Sequence, residues 1–244
     1  MSGDGAPHPA SAWRIVQLDE IDSTQEEAKR RLRAGEPLDA TVLRAARQRA
    51  GRGRRGRSFV SEVGGSYQSL VVRDAEGAWR HGAITLALAV GIAEALAARG
   101  AQVGLKWPND LIDPAGRKCG GLLAEHVHGH LITGVGVGVD VATAPAGFGV
   151  VRAPLDAVHA AVMDGVTRGL ALADTPVRLP GMFAPWDVLA GRTVSVTPAA
   201  AGAGPATGVA EGVTAGGALR LRSPRGDVRT VPGGSVIAVD PSLT

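Results

Sequence analysis

The spacing of apolar and polar positions changes several times along the chain, and each change marks an element. Trp13–Leu18 alternates as a strand. In Ser23-Thr24-Gln25-Glu26-Glu27 a cap residue stands three positions before a glutamate, which predicts a helix start, and Gly35 can end that helix. Ala40–Ala46 and Ser66–Val72 read as strands. Between them, Gln48–Ser58 is built from Gly and Arg, offers nothing to a core and must be a loop. His81–Arg99 is a long Ala/Leu helix stopped by Gly100. Val103–Trp107 is a strand running into Pro108. Leu111–Ile112 and Leu122–Val127 look like hairpin arms around Pro114–Lys118, and Leu131–Val141 is a further strand. Leu155–Leu172 has helical periodicity, and a shorter helix is expected over Met182–Leu189. After about Gly191 come five short strands: Val194–Thr197, Gly208–Val213, Ala218–Arg222, Val228–Val231 and Ser235–Val239. That spacing, with an Ala/Gly loop at Ala199–Gly204, predicts a small β-barrel. The expected class is α+β. Residues 1–12 would be a flexible tail, 13–190 a mixed sheet covered by helices, and 191–244 an SH3-like barrel.

Composition narrows this picture. A chain of 244 residues, 45% apolar and 20% charged, can bury a substantial core and is not disordered throughout. One cysteine, Cys119, excludes an intramolecular disulfide framework and a multi-cysteine metal site, and fits a reducing compartment. No basic-then-apolar segment opens the chain, and the longest apolar stretch is broken by Thr85, Gly91 and Glu94. The expectation is a soluble cytoplasmic protein without a membrane span. Of the 26 basic residues only Lys29, Lys106 and Lys118 are lysine; the rest are arginine. A lysine kept against that bias is a candidate for work a planar guanidinium cannot do. The net charge of +3 is uneven as well, because seven arginines fall between Arg44 and Arg57 and the remainder is mildly acidic. One dense patch suits a compact anion such as a triphosphate as well as it suits nucleic acid.

Five segments could carry chemistry. In Gln48-Arg49-Ala50-Gly51-Arg52-Gly53-Arg54-Arg55-Gly56-Arg57 the glycines let backbone approach a ligand and the arginines supply bidentate forks for phosphate or carboxylate. The same string also reads as a solvated basic loop or an RNA-binding tract, although it lacks interleaved aromatics. Lys106-Trp107-Pro108-Asn109-Asp110 ends a strand at a proline; Asp110 could hold Mg²⁺ and Asn109 could bond a nucleotide, or the string is an ordinary turn. In Gly116 to Glu125, Lys118 precedes two glycines and can point into a site, or it is a surface residue on a hairpin. Gly134 to Asp140 alternates glycine and valine, which gives either a bare face for a flat ligand or tight packing against a helix. Ser23-Thr24-Gln25 is a helix cap whose hydroxyls could also serve a ligand. Cys119 reads as a small buried residue; the alternate spacing of His126, His128 and His130 could suggest a metal, but on strand ends at a turn they read as solvent-facing.

In this order the segments resemble the biotin protein ligases. That family's pattern is S-T-N, Q-x-A-G-R-G-R-x-G-R, K-W-P-N-D, R-K-x-x-G-[IL]-L-x-E and G-x-G-x-N, followed by a small SH3-like domain. The resemblance covers nearly the whole chain from Trp13. It implies a class II aminoacyl-tRNA-synthetase-like ligase domain, with biotin and ATP as substrates and Mg²⁺ as cofactor. It implies two steps: biotin is activated as biotinyl-5′-adenylate, then transferred to a lysine of a biotin carboxyl carrier protein. Lys118 and Arg52 would be catalytic. Ser23, Thr24, Gln25, Gln48, Arg52, Gly53, Arg54 and Lys118 would hold biotin. Arg54, Arg57, Lys106, Trp107, Asn109 and Asp140 would hold ATP, and Asp110 the metal. Gln25 replaces the family's Asn, Phe59 stands where some members have Trp, and Asp140 replaces the Asn of G-x-G-x-N. With about 12 residues before the first strand, the chain resembles the ligase-only class without DNA binding, as monomer or homodimer. The rivals are a lipoate or octanoate protein ligase and a non-enzymatic RNA-binding module.

Overall fold

Alternating apolar positions in β1 (Arg14–Ile21) and β2 (Thr41–Gln48) pair in parallel, joined by the crossover helix α1 (Thr24–Arg33). These features come from a computed structural model describing residues 13–74, 76–79, 82–140, 142–199 and 204–238. The tail expected over residues 1–12 lies outside the described residues, as do His81, Val141, Val239 and 200–203 of the Ala/Gly loop. Ser23 caps α1, its Oγ accepting from the Glu26 N–H at 3.4 Å. Glu26 and Glu27 occupy the first turn, and Arg30, Arg31 and Arg33 the last, matching the helix dipole.

The other strands are antiparallel: β3 (Ser66–Arg73), β4 (Gly104–Lys106), β5 (Asp110–Ile112), β6 (Lys118–Val127) and β7 (His130–Val137). The seven-stranded order is β1-β2-β3-β7-β6-β5-β4. Three boundaries differ from the sequence pattern. Lys118 opens β6 instead of lying in the turn, because its backbone pairs with Ile112 across a register shift. The strand expected to reach Val141 ends at Val137, so Gly138–Asp140 leaves the sheet. The short helix expected at Met182–Leu189 is instead α4 (Leu179–Phe183), followed by a 3₁₀ turn.

One face of the sheet is covered by α2 (Ile84–Ala97) and α3 (Leu155–Ala173). The helix α2 is apolar nearly all round because it has buried neighbours on most sides. The two helices approach so closely that a Cβ on Gly91 would strike the Gly165 carbonyl and Gly169 backbone. The other face carries α1, whose Ala28 and Leu32 pack on Leu43, Val71 and Ile132. β3 is therefore buried on both sides.

The C-terminal strands are β8 (Thr193–Pro198), β9 (Ala206–Val213), β10 (Leu219–Arg222), β11 (Val228–Val231) and β12 (Gly234–Ala238). They form one antiparallel sheet in the order β11-β10-β9-β8-β12. Among the described residues its ladder is open, with β11 and β12 at the edges. Its apolar side chains, such as Val196, Ala210 and Leu221, belong to the same buried cluster as Leu105, Trp107 and Phe183. No helix among the described residues is long and apolar enough to cross a membrane.

Candidate functional site

On the face of the sheet that carries α1, the polar start of that helix, the arginine loop and the β4–β5 turn enclose an open cleft. One end is neutral and polar. It is formed where the N-terminus of α1 meets β2 and β3. The Thr24 N–H and hydroxyl donate to Gln48 Oε1 at 2.8 and 3.1 Å. The Thr24 and Ser69 hydroxyls are 2.8 Å apart, and Ser69 Oγ donates to Gln25 Oε1 at 3.1 Å. Both carboxamide nitrogens turn outward, Gln25 Nε2 to Glu125 at 2.9 Å and Gln48 Nε2 to Ser61 Oγ at 2.8 Å. The cleft end therefore offers amide oxygens and hydroxyls. Ser23 lies beside them, 1% exposed.

The other end is cationic. The arginine loop folds back on itself: Gly53 N–H donates to the Arg57 carbonyl at 2.7 Å, and Phe59 N–H to the Gly51 carbonyl at 2.8 Å. Arg55 at φ 58° and Gly56 at φ 72° make its tip. A Cβ on Gly51 would run into the Phe59 carbonyl and Ser61 Oγ, so the fold-back needs glycine there. Arg52, Arg54, Arg55, Arg57, Lys106 and Lys118 line the cleft against a single carboxylate, Asp110. Lys118 Nζ donates to Asp110 Oδ1 at 2.6 Å. Arg54 donates to the neutral Asn109 Oδ1 at 3.1 Å. Burial, with Arg55 and Arg57 nearby, holds the Arg54 pKa below the usual arginine value against the pull of Asp110. A half-buried guanidinium on a neutral acceptor is under-compensated, and an anion would relieve it.

The cleft thus gathers Ser23, Thr24, Gln25, Gln48, Arg52, Gly53, Arg54, Arg57, Lys106, Trp107, Asn109, Asp110 and Lys118. Trp107 borders it while being only 1% exposed, and its Nε1 donates to the Gly217 carbonyl in the turn between β9 and β10 at 2.9 Å. Asp140 is not brought into this cleft. It lines an adjoining hollow with Phe59, Val139 and Phe148, and Lys118 borders both spaces. Its Oδ1 accepts from the Ala142 N–H at 2.8 Å. The bare face of the glycine-valine strand is filled from within, by Gln25 over Gly134 and the Phe59 ring over Gly136.

Several contributors are not evident from the sequence pattern. Ser69 completes the polar end, Ser61 holds the Gln48 amide nitrogen from behind it, and Gly234, Ser235 and Val236 of β12 close one wall. The Ser235 hydroxyl accepts from Arg57 at 3.1 Å and Arg55 at 3.4 Å. Polar residues inside the otherwise apolar, doubly covered β3 are the one signal that points to Ser69. His126 is not solvent-facing as expected; its side chain is 17% exposed and Nε2 lies 2.9 Å from the buried Asp74, because β6 carries it against the loop after β3. Cys119 is buried, as expected, and burial pushes its thiol up to about 12. Among the described residues no three His, Cys, Asp or Glu side chains cluster as a metal cage. A lone carboxylate among cations suits Mg²⁺ held largely by phosphate oxygens and water.

The sequence profile of the biotin/lipoate A/B protein ligase family matches residues 18–142, just over half of the chain. The chain belongs to the biotin/lipoate A/B protein ligase family. This family member is 32% identical over 229 residues to the biotin–[acetyl-CoA-carboxylase] ligase of Paracoccus denitrificans, a match covering 86% of this chain and 94% of that one. It is 36% identical over 138 residues to the Mycobacterium tuberculosis enzyme of the same name, a match spanning 53% of this chain and about half, 51%, of that protein's length. In structure it is similar to the biotin protein ligase from Aquifex aeolicus in complex with biotin and ATP. The TM-score is 0.78 at 25% identity, over 92% of this chain and 99% of that one. The mixed α+β architecture is that of the family's catalytic fold.

Proposed function

We propose that this chain is an ATP-dependent biotin ligase, which forms biotinyl-5′-adenylate and transfers the biotinyl group to a lysine of a biotin carboxyl carrier protein domain. One observation carries the reading: six cationic side chains and one carboxylate line a cleft whose far end is neutral and hydrogen-bonded. That pairing suits a neutral head group joined to a carboxylate that must meet a polyphosphate. The cyclic urea of biotin supplies N–H donors for the oxygens of Gln25 and Gln48 and a carbonyl for the hydroxyls of Ser23 and Thr24, the Thr24 proton turning from Gln48 Oε1 to the ligand and so freeing that oxygen. A dithiolane or alkyl chain supplies neither, which weighs against lipoate and octanoate despite the shared family. Against RNA binding stand the arginines themselves, which fold over the cleft onto Asn109 and Ser235.

In the first step a biotin carboxylate oxygen bonds to the α-phosphorus of ATP as the bond to the pyrophosphate oxygen breaks. Two anions must be brought together, so positioning and charge compensation supply most of the catalysis. Lys118, bordering both the cleft and the adjoining hollow, suits the carboxylate–phosphate junction, and Arg52, Arg54, Arg57 and Lys106 suit the phosphates. Asn109 and Asp140, with the Phe59 and Phe148 rings, suit the nucleoside. Asp110 would hold Mg²⁺ beside the phosphates, where the ion offsets their charge. In the second step the carrier lysine, as the neutral amine, adds to the biotinyl carbonyl carbon, loses a proton and expels AMP. Closure of the arginine loop keeps water from the mixed anhydride.

We take the C-terminal sheet as the family's SH3-like domain, and residues 13–190 as the catalytic domain. The single buried thiol of Cys119 suits the cytoplasm. The deciding experiment is ATP–pyrophosphate exchange with biotin, lipoate or octanoate. Exchange that depends on biotin alone supports the reading, and exchange with lipoate favours the second. No exchange, with RNA binding that survives about 0.3 M salt, favours the third.

A further inference from the structure

Lys29 is one of three lysines in an arginine-rich chain, and unlike Lys106 and Lys118 it does not line the cleft. It sits on the second turn of α1 with its side chain 12% exposed, and its ammonium reaches Glu125 of β6 at 2.8 Å and Glu26 at 3.1 Å. Burial works to lower its pKa, but the hydrogen bonds to Glu125 and Glu26 outweigh that and raise it, so the lysine stays charged. Glu125 in turn accepts from Gln25 Nε2 at 2.9 Å. A carboxylate can only accept, so this contact decides which end of the Gln25 carboxamide faces inward. With the nitrogen held by Glu125 and the Ile132 carbonyl, at 3.3 Å, the oxygen is left for Ser69 and the cleft. Without Glu125, only the longer contact to the Ile132 carbonyl would hold the nitrogen in place, and the two ends of the amide, alike in shape, would exchange more readily before the Ser69 hydroxyl.

We propose that Lys29 and Glu125 are positioning residues: their ion pair locks the Gln25 carboxamide oxygen-inward and so sets the hydrogen-bond pattern that the cleft presents to the biotin ureido group. The inference rests on the biotin reading of the cleft. Neither residue touches the ligand. The chain of contacts runs from the ion pair through Gln25, Ser69 and Thr24 to Gln48 and Ser61, which connects it to the Phe59 carbonyl at the base of the arginine loop. The choice of lysine follows from this geometry. A compact ammonium can bond carboxylates on a helix and on a strand from one nearly buried point, whereas a planar fork would need more room.

The test uses the full-length chain with Glu125→Gln, Lys29→Met and the double variant. The readouts are biotin affinity by calorimetry and KM and kcat for biotin-dependent pyrophosphate exchange. Glu125→Gln introduces a donor where an obligate acceptor stood. The biotin KM and dissociation constant should rise about tenfold, or about 1.4 kcal/mol. The ATP KM, and kcat at saturating biotin, should stay within about twofold. Lys29→Met should act in the same direction, and the double variant should fall short of the product of the single effects, because both act through one amide. A general loosening of the fold would move the ATP KM and kcat as well. Analogues methylated on one ureido nitrogen give a second readout: wild type should discriminate against them, and Glu125→Gln should narrow that gap. Wild-type biotin binding with unchanged affinity and discrimination in both single variants would overturn the inference alone. No biotin binding by wild type would overturn the reading of the cleft, and this inference with it.

Discussion

At the scale of single residues, Lys118 is the cleft cation that contacts the cleft's one carboxylate directly, at 2.6 Å from Asp110. A mobile ammonium held by one carboxylate can release it and follow negative charge as it passes from biotin to phosphate. Lys118→Ala removes the charge, and Lys118→Arg moves it outward on a longer planar group. Both should cut biotin-dependent pyrophosphate exchange by at least ~10²-fold, or roughly 2.7 kcal/mol of transition-state stabilisation. Near-normal exchange in Lys118→Arg would remove the residue from the reaction. Residues of this kind are legible in the sequence, because composition alone sets the lysines apart. Ser69 and Ser61 are not. Each is a common residue in a common context, and its role comes from strands that meet only after folding.

The arginine loop and the linker before β8 carry the predictions at the scale of elements. The loop has several exposed arginines and few buried contacts, so trypsin should cut the free protein there. Biotin with ATP should slow that cleavage, and a digestion time course followed by mass spectrometry checks it; equal rates with and without ligands would separate the loop from the site. Asp187 lies in the linker, next to Leu105 across an isolated bridge. Its Oδ1 accepts from the Leu189 N–H at 2.9 Å, while its Oδ2 is buried without a partner among the described residues. Burial raises its pKa from 3.8 to about 6. Ionisation is thus harder in the folded than in the unfolded chain. The contribution of this one group is fully present below about pH 4 and is lost as the pH rises through about 6. Asp187→Asn should raise the melting temperature at pH 8 and change it little at pH 4; the reverse pattern in a pH series would refute the assignment. Loop and strand patterns locate these elements well. The linker helix is displaced because its two buried residues are Leu179, before the segment with the helical pattern, and Phe183, just inside its start.

On the scale of the whole molecule, the two sheets share one buried core. Composition changes near Gly191, and that change is legible as a boundary. The packing nonetheless crosses it: Trp107 donates to the Gly217 carbonyl, and Val196 and Leu221 join the cluster around Phe183. A chain ending at residue 190 would expose that apolar surface. It should lose cooperative thermal unfolding, measured by circular dichroism, and not merely its activity; a cooperative transition in the truncated chain would make the C-terminal sheet a separate unit. The β12 wall of the cleft has a practical use. Its Ser235 holds the arginine tips, Ile237 on the same strand is 62% exposed, and Cys119 is sealed in the core at 2%. In an Ile237→Cys variant the new thiol is the accessible one of the two, so a dye placed there could signal cleft occupancy by its change in brightness, turning the last strand into an optical gauge of loading.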